Sequence, residues 1–536
     1  MSNILISDKV SQLLTVVEEA TRSSEEGVKY FVEPAHGTLR RSVALRHHFV
    51  FGRRGSGKSS LLRKAAADLT VARSPIAWVD LEPFKGHSYP DLVLSVLIAT
   101  LVAFQKWLDH AAIAPANRTA FWTKLFGRKP TKPAYNKIKC RELSAKIAGQ
   151  ITELKEQLHA ADAADLKKKT GSSAESGFQA QVAAKIKGGG AELGSKLSTT
   201  ETAKENQEVE EQYKRSKIEF LRRHIMDYQQ IFDELAAVSD GNSFLFLDDL
   251  YHIRKDNQAQ VIDYMHSIGK GHKLWLKVGT IRHRTVWYVH GNPPIGMKLG
   301  DDAEEIDLDL TLEKYAITKD FLTKILSNLM TPVGLKTEDL MTEGAIDRLV
   351  LASGGVARDF LSIFRRSVDV ARERSGDKIN AEDINMASGE YDTSKREEFK
   401  RDTYDEEDDS LTSVFQNVRT FCLEKVNSNC FLLNKDAKGK QIDQIHELVD
   451  LKLLHLIRSR VTVKSTRQGQ IYEAYMLDLC QYAGARKRRD LQMVEFWKPD
   501  AEDKLRRVSL IFDEGNGNKT EVALRLATAL SGAKSL

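Results

Sequence analysis

Two rhythms of apolar and polar positions alternate along this chain. Short apolar runs at 49–52, 76–81, 242–249 (NSFLFLDD), 274–280 (LWLKVGT) and 305–310 (EIDLDL) are separated by stretches with helical spacing. That alternation predicts five strands of a parallel sheet covered on both faces, an α/β core. Residues 345–374 read as helices interrupted by Gly354 and Gly355, and 378–387 starts another. Residues 1–26 read as an amphipathic helix, without the basic start, apolar run and small-residue cleavage site of a secretory signal, so no export is expected. The run 92–104 (LVLSVLIATLVAF) carries no charge but falls short of the roughly 20 residues that span a bilayer. It predicts a buried helix, and no membrane partner.

From 82 to 241 lies far more chain than a helix and a loop between two strands require, so this region is expected to be structure of its own. Ile218, Leu221, Ile225, Tyr228, Phe232 and Leu235 make a heptad seam that Leu143, Ile147, Ile151, Leu154 and Leu158 nearly match, which predicts two helices paired antiparallel. The tip at 177–198 alternates around Gly188, Gly189 and Gly190, which fits either a β-hairpin with one apolar face or a glycine-rich loop. A lone hairpin cannot bury such a face and invites a partner or a second copy. Residues 121–139 mix basic and aromatic side chains, a pattern shared by nucleic-acid contacts and by solvated loops.

Composition narrows the class. At 536 residues the chain has room for about three or four domains. Cys140, Cys422, Cys430 and Cys480 fall in no metal-ligand spacing, which argues against structural zinc and for reduced thiols in a cytoplasmic protein. A net charge of +5 permits nucleic-acid contact without predicting it.

The chemistry is concentrated after the first strand. Gly52, Arg53, Arg54, Gly55, Ser56, Gly57, Lys58 and Ser59 fit G-x-x-x-x-G-K-[ST], and Ser60 follows at the start of a helix. Backbone N–H groups in such a loop wrap phosphates, Lys58 reaches the terminal phosphates, and Ser59 ligates Mg²⁺. A nucleotide site of this kind needs a carboxylate at the end of a second buried strand, which Asp248 supplies as a Mg²⁺ ligand. Asp249 follows as the group that would orient an attacking water, one methylene shorter than a glutamate, so hydrolysis is expected to be slow. Thr280 ends the next strand, and either Arg282 or Arg284 would serve as a sensor or finger, or simply pair with acidic neighbours.

Gly354-Gly355-x-x-Arg358 ahead of a helix resembles the second sensor of AAA+ ATPases. Together with the P-loop, the LFLDD strand and Thr280, it makes residues 30–390 look like an AAA+ ATPase of the replication-initiator, origin-recognition clade, with a neighbouring likeness to STAND switch ATPases. The resemblance implies ATP and Mg²⁺ as cofactors and Arg358 as a sensor that couples a helical lid to nucleotide state. Two departures, Asp249 for the usual glutamate and GTIRHRT for the usual sensor asparagine, are closer to STAND proteins.

Toward the C-terminus, 391–409 turns polar and reads as a linker. The helix and strand runs of 410–490 fit a winged helix, with Arg458, Arg460, Lys464 and Arg467 on its wing and Arg486 and Arg488 beyond it, a patch able to neutralise phosphates. Asp443, Glu447 and Asp450 on the recognition helix argue against base readout. The division expected is 1–81 with 242–312 for the ATPase core, 82–241 for the insertion, 313–390 for the lid, 391–409, 410–490, and an extension at 491–536. The functional expectation is an ATP-dependent switch acting on duplex DNA. The alternative is a STAND-like scaffold that senses a protein or foreign trigger, assembles as a homo-oligomer and activates a partner effector, as in phage defence. A small-molecule kinase fits poorly, because the extra length forms no substrate pocket.

Overall fold

The computed structural model describes residues 3–22, 29–71, 73–113, 135–160, 211–239, 241–402, 405–436, 439–463, 470–483, 491–498 and 501–512. The hairpin or loop expected at 177–198, most of the basic stretch 121–139, and Lys464, Arg467, Arg486 and Arg488 lie outside the described residues.

All five expected strands form, within three residues of their expected limits: β1 (His47–Phe51), β2 (Ile76–Asp80), β3 (Ser243–Asp248), β4 (Leu274–Thr280) and β7 (Ala303–Asp307), with a small hairpin of β5 (Tyr288–Val289) and β6 (Ile295–Gly296) between the last two. The five-stranded sheet is parallel in the order β2-β3-β4-β1-β7. Inserting β4 between the P-loop strand and the Asp248 strand sets the ends of β1 and β3 apart, leaving a crevice at the carboxyl edge. Strand pleating splits the core cleanly. Phe49, Phe51, Leu245 and Leu247 face one layer of helices, and Val50, Phe244 and Phe246 face α2 (Lys58–Val71) on the other side. This is the parallel α/β P-loop core that the sequence led us to expect.

The insertion supplies the first layer. Helix α3 (Asp91–Ile113) runs 23 residues, longer than its uncharged segment, and is long and apolar enough by composition to cross a membrane. Here Leu94, Leu97, Leu101 and Phe104 are fully buried in the protein core instead. Helix α4 (Lys137–Leu158) carries the first heptad seam, with Leu143, Ile147 and Leu154 buried, and its main neighbour is α3. The second seam continues through α5 (Ile225–Val238), which also touches α4 but packs on α6 (Lys255–Gly269) as well. A two-helix coil was expected, and a helical layer on the sheet is found. Both seams bury their apolar residues in one core shared with α3, α6 and the sheet face, rather than against each other alone.

Helices α7 (Tyr315–Met330), α8 (Glu343–Ser353), α9 (Ala357–Glu373) and α10 (Ala381–Asp402) form the lid, and α1 (Asp8–Thr21) packs on α7 and α9 within it. The polar stretch expected as a linker is helical as far as Asp402. Tyr391, Lys395 and Phe399, spaced by four, all point inward and are buried, so a run that reads as polar hides one inward face.

Beyond it, α11 (Asp405–Thr420), β8 (Cys430–Asn434), α12 (Lys440–Asp450), β9 (Leu454–Val461) and β10 (Tyr472–Leu477) follow the expected order. Their antiparallel sheet runs β8-β10-β9, so the first strand lies beside the last.

Candidate nucleotide site

The chain leaves β1 at Phe51 and turns at once. Gly55 has φ of +85°, and a Cβ there would lie 2.8 Å from Cβ of Arg358, so only glycine lets the loop and the lid approach this closely. The two are also tied by a hydrogen bond from Arg358 N–H to the Gly55 carbonyl, at 3.2 Å. Helix α2 then begins at Lys58 and aims its N-terminal N–H groups into the crevice.

The buried Lys58 ammonium donates to the carbonyls of Gly52 at 2.8 Å and Arg53 at 3.3 Å. Burial pulls its pKa below the ordinary lysine value, against the opposing pull of Asp249 and Asp248. An ammonium held this way favours an added anion beside it. Asp248 shows the complementary need. Burial, then the neighbouring Asp249 carboxylate, push its pKa up to about 7, and the Ser59 hydroxyl bound to it pulls the other way. Two crowded carboxylates against a hydroxyl form a donor set of oxygen atoms suited to Mg²⁺. The Ser56 hydroxyl is buried with no hydrogen-bond partner, a polar atom inside the loop that a phosphate oxygen would satisfy. Each observation fits a magnesium nucleotide.

These groups line one cavity of about 460 Å³, together with Arg54, Gly57, Ser60, Asp249 and Arg358. Its other wall is apolar: Tyr30 and Val32 from the segment before β1, Phe321, Ile325 and Leu329 from α7, and Leu361 from α9. A flat aromatic base would fit against this wall, which sequence reasoning missed because its residues come from remote segments and carry no motif. Asp80 and Glu82, at the end of β2, also line the cavity and were likewise unmarked. Asp80 pairs in register with Asp248, and strand pairing was the one signal that would have found it.

Three expected site residues stand elsewhere. Arg53 turns away from the cavity, its N–H and Nε both donating to Asp309 at 3.0 and 3.1 Å. Thr280 is fully buried with its hydroxyl bonded to that of Thr285 at 2.5 Å, so it does not line the cavity and is not positioned as a phosphate sensor. Arg282 lies over the Phe51 ring and pairs with Glu305 at 3.0 Å and Asp307 at 3.5 Å, the acidic end of β7, rather than facing the P-loop. The cause in both cases is the tight turn after β4, in which Thr285 folds back on Ile281 and Thr280. Arg358, by contrast, lines the cavity from the first turn of α9.

On the C-terminal domain, Arg458 and Arg460 are exposed along β9. Helix α12 turns inward. Glu447 pairs with Lys255 at 2.9 Å and lies 3.7 Å from Arg284, while Asp450 accepts from both the N–H and Nδ1 of His283, at 2.9 and 3.1 Å. Two of the three carboxylates that argued against base readout, Glu447 and Asp450, are thus paired with the α/β core, while Asp443 is exposed.

No family model matches the chain, and no curated protein matches it. Among solved structures it is similar to the Walker-type ATPase of Pyrococcus abyssi, with 11% identity and a TM-score of 0.41 over 87% of this chain and 98% of that one. It is also similar to the ORC1 protein of Aeropyrum pernix in complex with DNA, with 11% identity and a TM-score of 0.35 over 87% of this chain and 93% of the other. Drosophila ORC bound to DNA gives 10% identity and a TM-score of 0.31 over 90% and 93%. At such identities the functional reading rests on the cavity itself.

Proposed function

We propose that this chain is an ATP-dependent molecular switch that binds ATP with Mg²⁺, hydrolyses it slowly and passes nucleotide state to its C-terminal domain. The observation that carries this reading is the meeting, in one cavity, of Lys58, the Ser59–Asp248 pair, Asp249 and the lid residue Arg358. Backbone N–H groups of the loop and Lys58 hold the triphosphate, Ser59 and Asp248 hold the metal, and Asp249 orients water. Catalysis of this kind is positioning and charge neutralisation, with no covalent intermediate. Arg358 reports the γ-phosphate to α9 and the rest of the lid.

For the output we propose engagement of duplex DNA by the winged domain, through the exposed Arg458 and Arg460 together with Lys464, Arg467, Arg486 and Arg488 of the same chain stretch. Steady-state ATP turnover with and without duplex DNA tests this at two salt concentrations. Turnover that rises with DNA and loses the rise in salt supports the reading. Reversing charge at Arg458 and Arg460 should lower the salt slope of DNA binding by roughly 1 to 2, and an unchanged slope would remove the wing from the account.

One observation favours the second reading, a STAND-like scaffold activated by a protein or foreign trigger. Helix α12 is docked on the core through Glu447 and Asp450, which takes these two carboxylates out of any nucleic-acid-facing surface. Slow turnover indifferent to DNA, with ATP-dependent growth in mass by light scattering, would move the assignment to a homo-oligomeric scaffold with a partner effector. We place either switch in the cytoplasm, where the four free, buried thiols would remain reduced.

A further inference from the structure

The chain passes from β7 to α7 through a strap, residues 309–313, whose two ends are tied to different parts of the molecule. At the first end, the carboxylate oxygens of Asp309 accept from the Arg53 N–H at 3.0 and 3.1 Å, and one also accepts from Arg53 Nε at 3.1 Å. The buried Arg53 guanidinium goes on to donate to the Leu310 carbonyl at 3.4 Å. That carbonyl packs on the lid, where a Cβ on Gly355 would lie 2.3 Å from its oxygen. Thr318 of α7 holds the next residue by donating to the Thr311 carbonyl at 3.0 Å. At the other end, Glu313 accepts from both the N–H and the hydroxyl of Ser459 in β9, at 2.8 and 2.7 Å.

Direct contacts carry the strap to the nucleotide cavity. Lys58, which lines the cavity, donates to the Arg53 carbonyl at 3.3 Å. A phosphate oxygen is a charged acceptor and a stronger partner for an ammonium than a neutral carbonyl, so a nucleotide on the loop redraws the bonds of the residue that anchors the strap. With Asp309, Leu310, Thr311 and Glu313 all pinned, the strap has little slack in which a shift of Arg53 could be absorbed. Its far end is well placed for output, because Ser459 stands between Arg458 and Arg460, the two exposed arginines of β9. The same strand has a separate seat: His455 and Lys395 of α10 both bond the buried Asp478. Cutting the strap therefore leaves β9 in place.

We propose that the strap carries nucleotide occupancy of the P-loop to β9 of the C-terminal domain, with Asp309 and Glu313 as its two anchors. This rests on the nucleotide-switch reading and adds to it a route that does not pass through Arg358. Neither anchor is a catalytic residue. Asp309 acts through Arg53 and Lys58, and Glu313 acts through Ser459. A phosphate held by the loop steadies Arg53, Arg53 steadies the strap, and the strap steadies β9. By linkage, a partner that grips Arg458 and Arg460 and so steadies β9 would tighten nucleotide binding by the same factor.

The test is backbone hydrogen exchange across β9 of the full chain, with and without saturating ADP and Mg²⁺, a nucleotide that offers phosphate to Lys58 without turnover. In the wild type, nucleotide should slow exchange in β9 by about fivefold or more. In Asp309→Asn the nucleotide should still bind, as titration would show, but the slowing should disappear. A merely structural role for Asp309 would change exchange equally with and without nucleotide. Should Asp309→Asn fail to fold, Glu313→Ala decides, since it breaks the other anchor without baring the buried Arg53: Ser459 itself will exchange faster, and the rest of β9 should no longer respond to nucleotide. The proposal is overturned if nucleotide binds the wild type and leaves β9 exchange within about twofold, or if the response survives in either variant. Failure of the wild type to bind nucleotide would instead sink the switch reading, and the strap with it.

Discussion

The imidazole of His455 fills the space that a side chain on Gly354 would need: a Cβ there would lie 2.0 Å from Cε1 of the ring. The ring cannot swing aside, because it is buried and its Nε2 donates to Asp478 at 2.7 Å. Gly354 also sits at φ of +58°. The Gly-Gly pair read from the sequence as a lid signature is thus also the seat of the C-terminal domain.

Gly354→Ala should therefore destabilise the protein by about 2 kcal/mol or more, from the clash and the left-handed backbone together. Urea unfolding measures this, and an unchanged midpoint would mean that the two units are not seated as described.

Asp249 lines the cavity beside Lys58 and has φ of +58°, a conformation asparagine tolerates well. Asp249→Asn should keep ATP affinity within about threefold of wild type while lowering turnover by about tenfold to a hundredfold. Turnover that persists would shift the water-orienting role to Asp80 or Glu82 on the same cavity wall.

The seating of α12 should depend on pH. Burial alone would lower the pKa of His283, but its hydrogen bond to Asp450 and that carboxylate's charge outweigh burial and raise it. Arg282 opposes protonation, Asp309 favours it, and the His446 ring lies 4.9 Å from that of His283. A raised pKa means that the folded state holds the proton more tightly. The contribution is full below the ordinary histidine value of about 6.5 and is lost as pH rises through the raised value. Hydrogen exchange of α12, corrected for intrinsic rates, should show protection falling as pH rises above about 6.5. In His283→Ala that pH dependence should vanish, and a dependence that persists would assign it to another group.

The parts legible in the sequence are those whose chemistry is local. The P-loop can be read because a tight glycine turn must precede Lys58 and Ser59, and the Asp248 strand because a P-loop elsewhere in the chain gives two aspartates at the end of a buried strand a use that they would not have alone. Arg358 was legible from the glycine pair before it. Thr280 and Arg282 were misplaced because their strand ends at the right edge of the sheet, yet the following turn redirects both, and a turn closed by a single Thr285 hydroxyl leaves no periodic trace. The polar stretch after Glu390 hid its buried Lys395 for a related reason. A lysine reads as solvated unless its partner, here Asp478, is known to face it from another domain. The apolar wall of the cavity was invisible because Tyr30, Phe321 and Leu361 converge only through the fold.

The most direct test of the switch is calorimetric titration of the purified chain with ATP in the presence and absence of Mg²⁺, alongside Lys58→Ala and Asp248→Asn. The account predicts saturable binding that strengthens with Mg²⁺, loses the Mg²⁺ effect in Asp248→Asn and disappears in Lys58→Ala. Binding that is indifferent to both substitutions would contradict it.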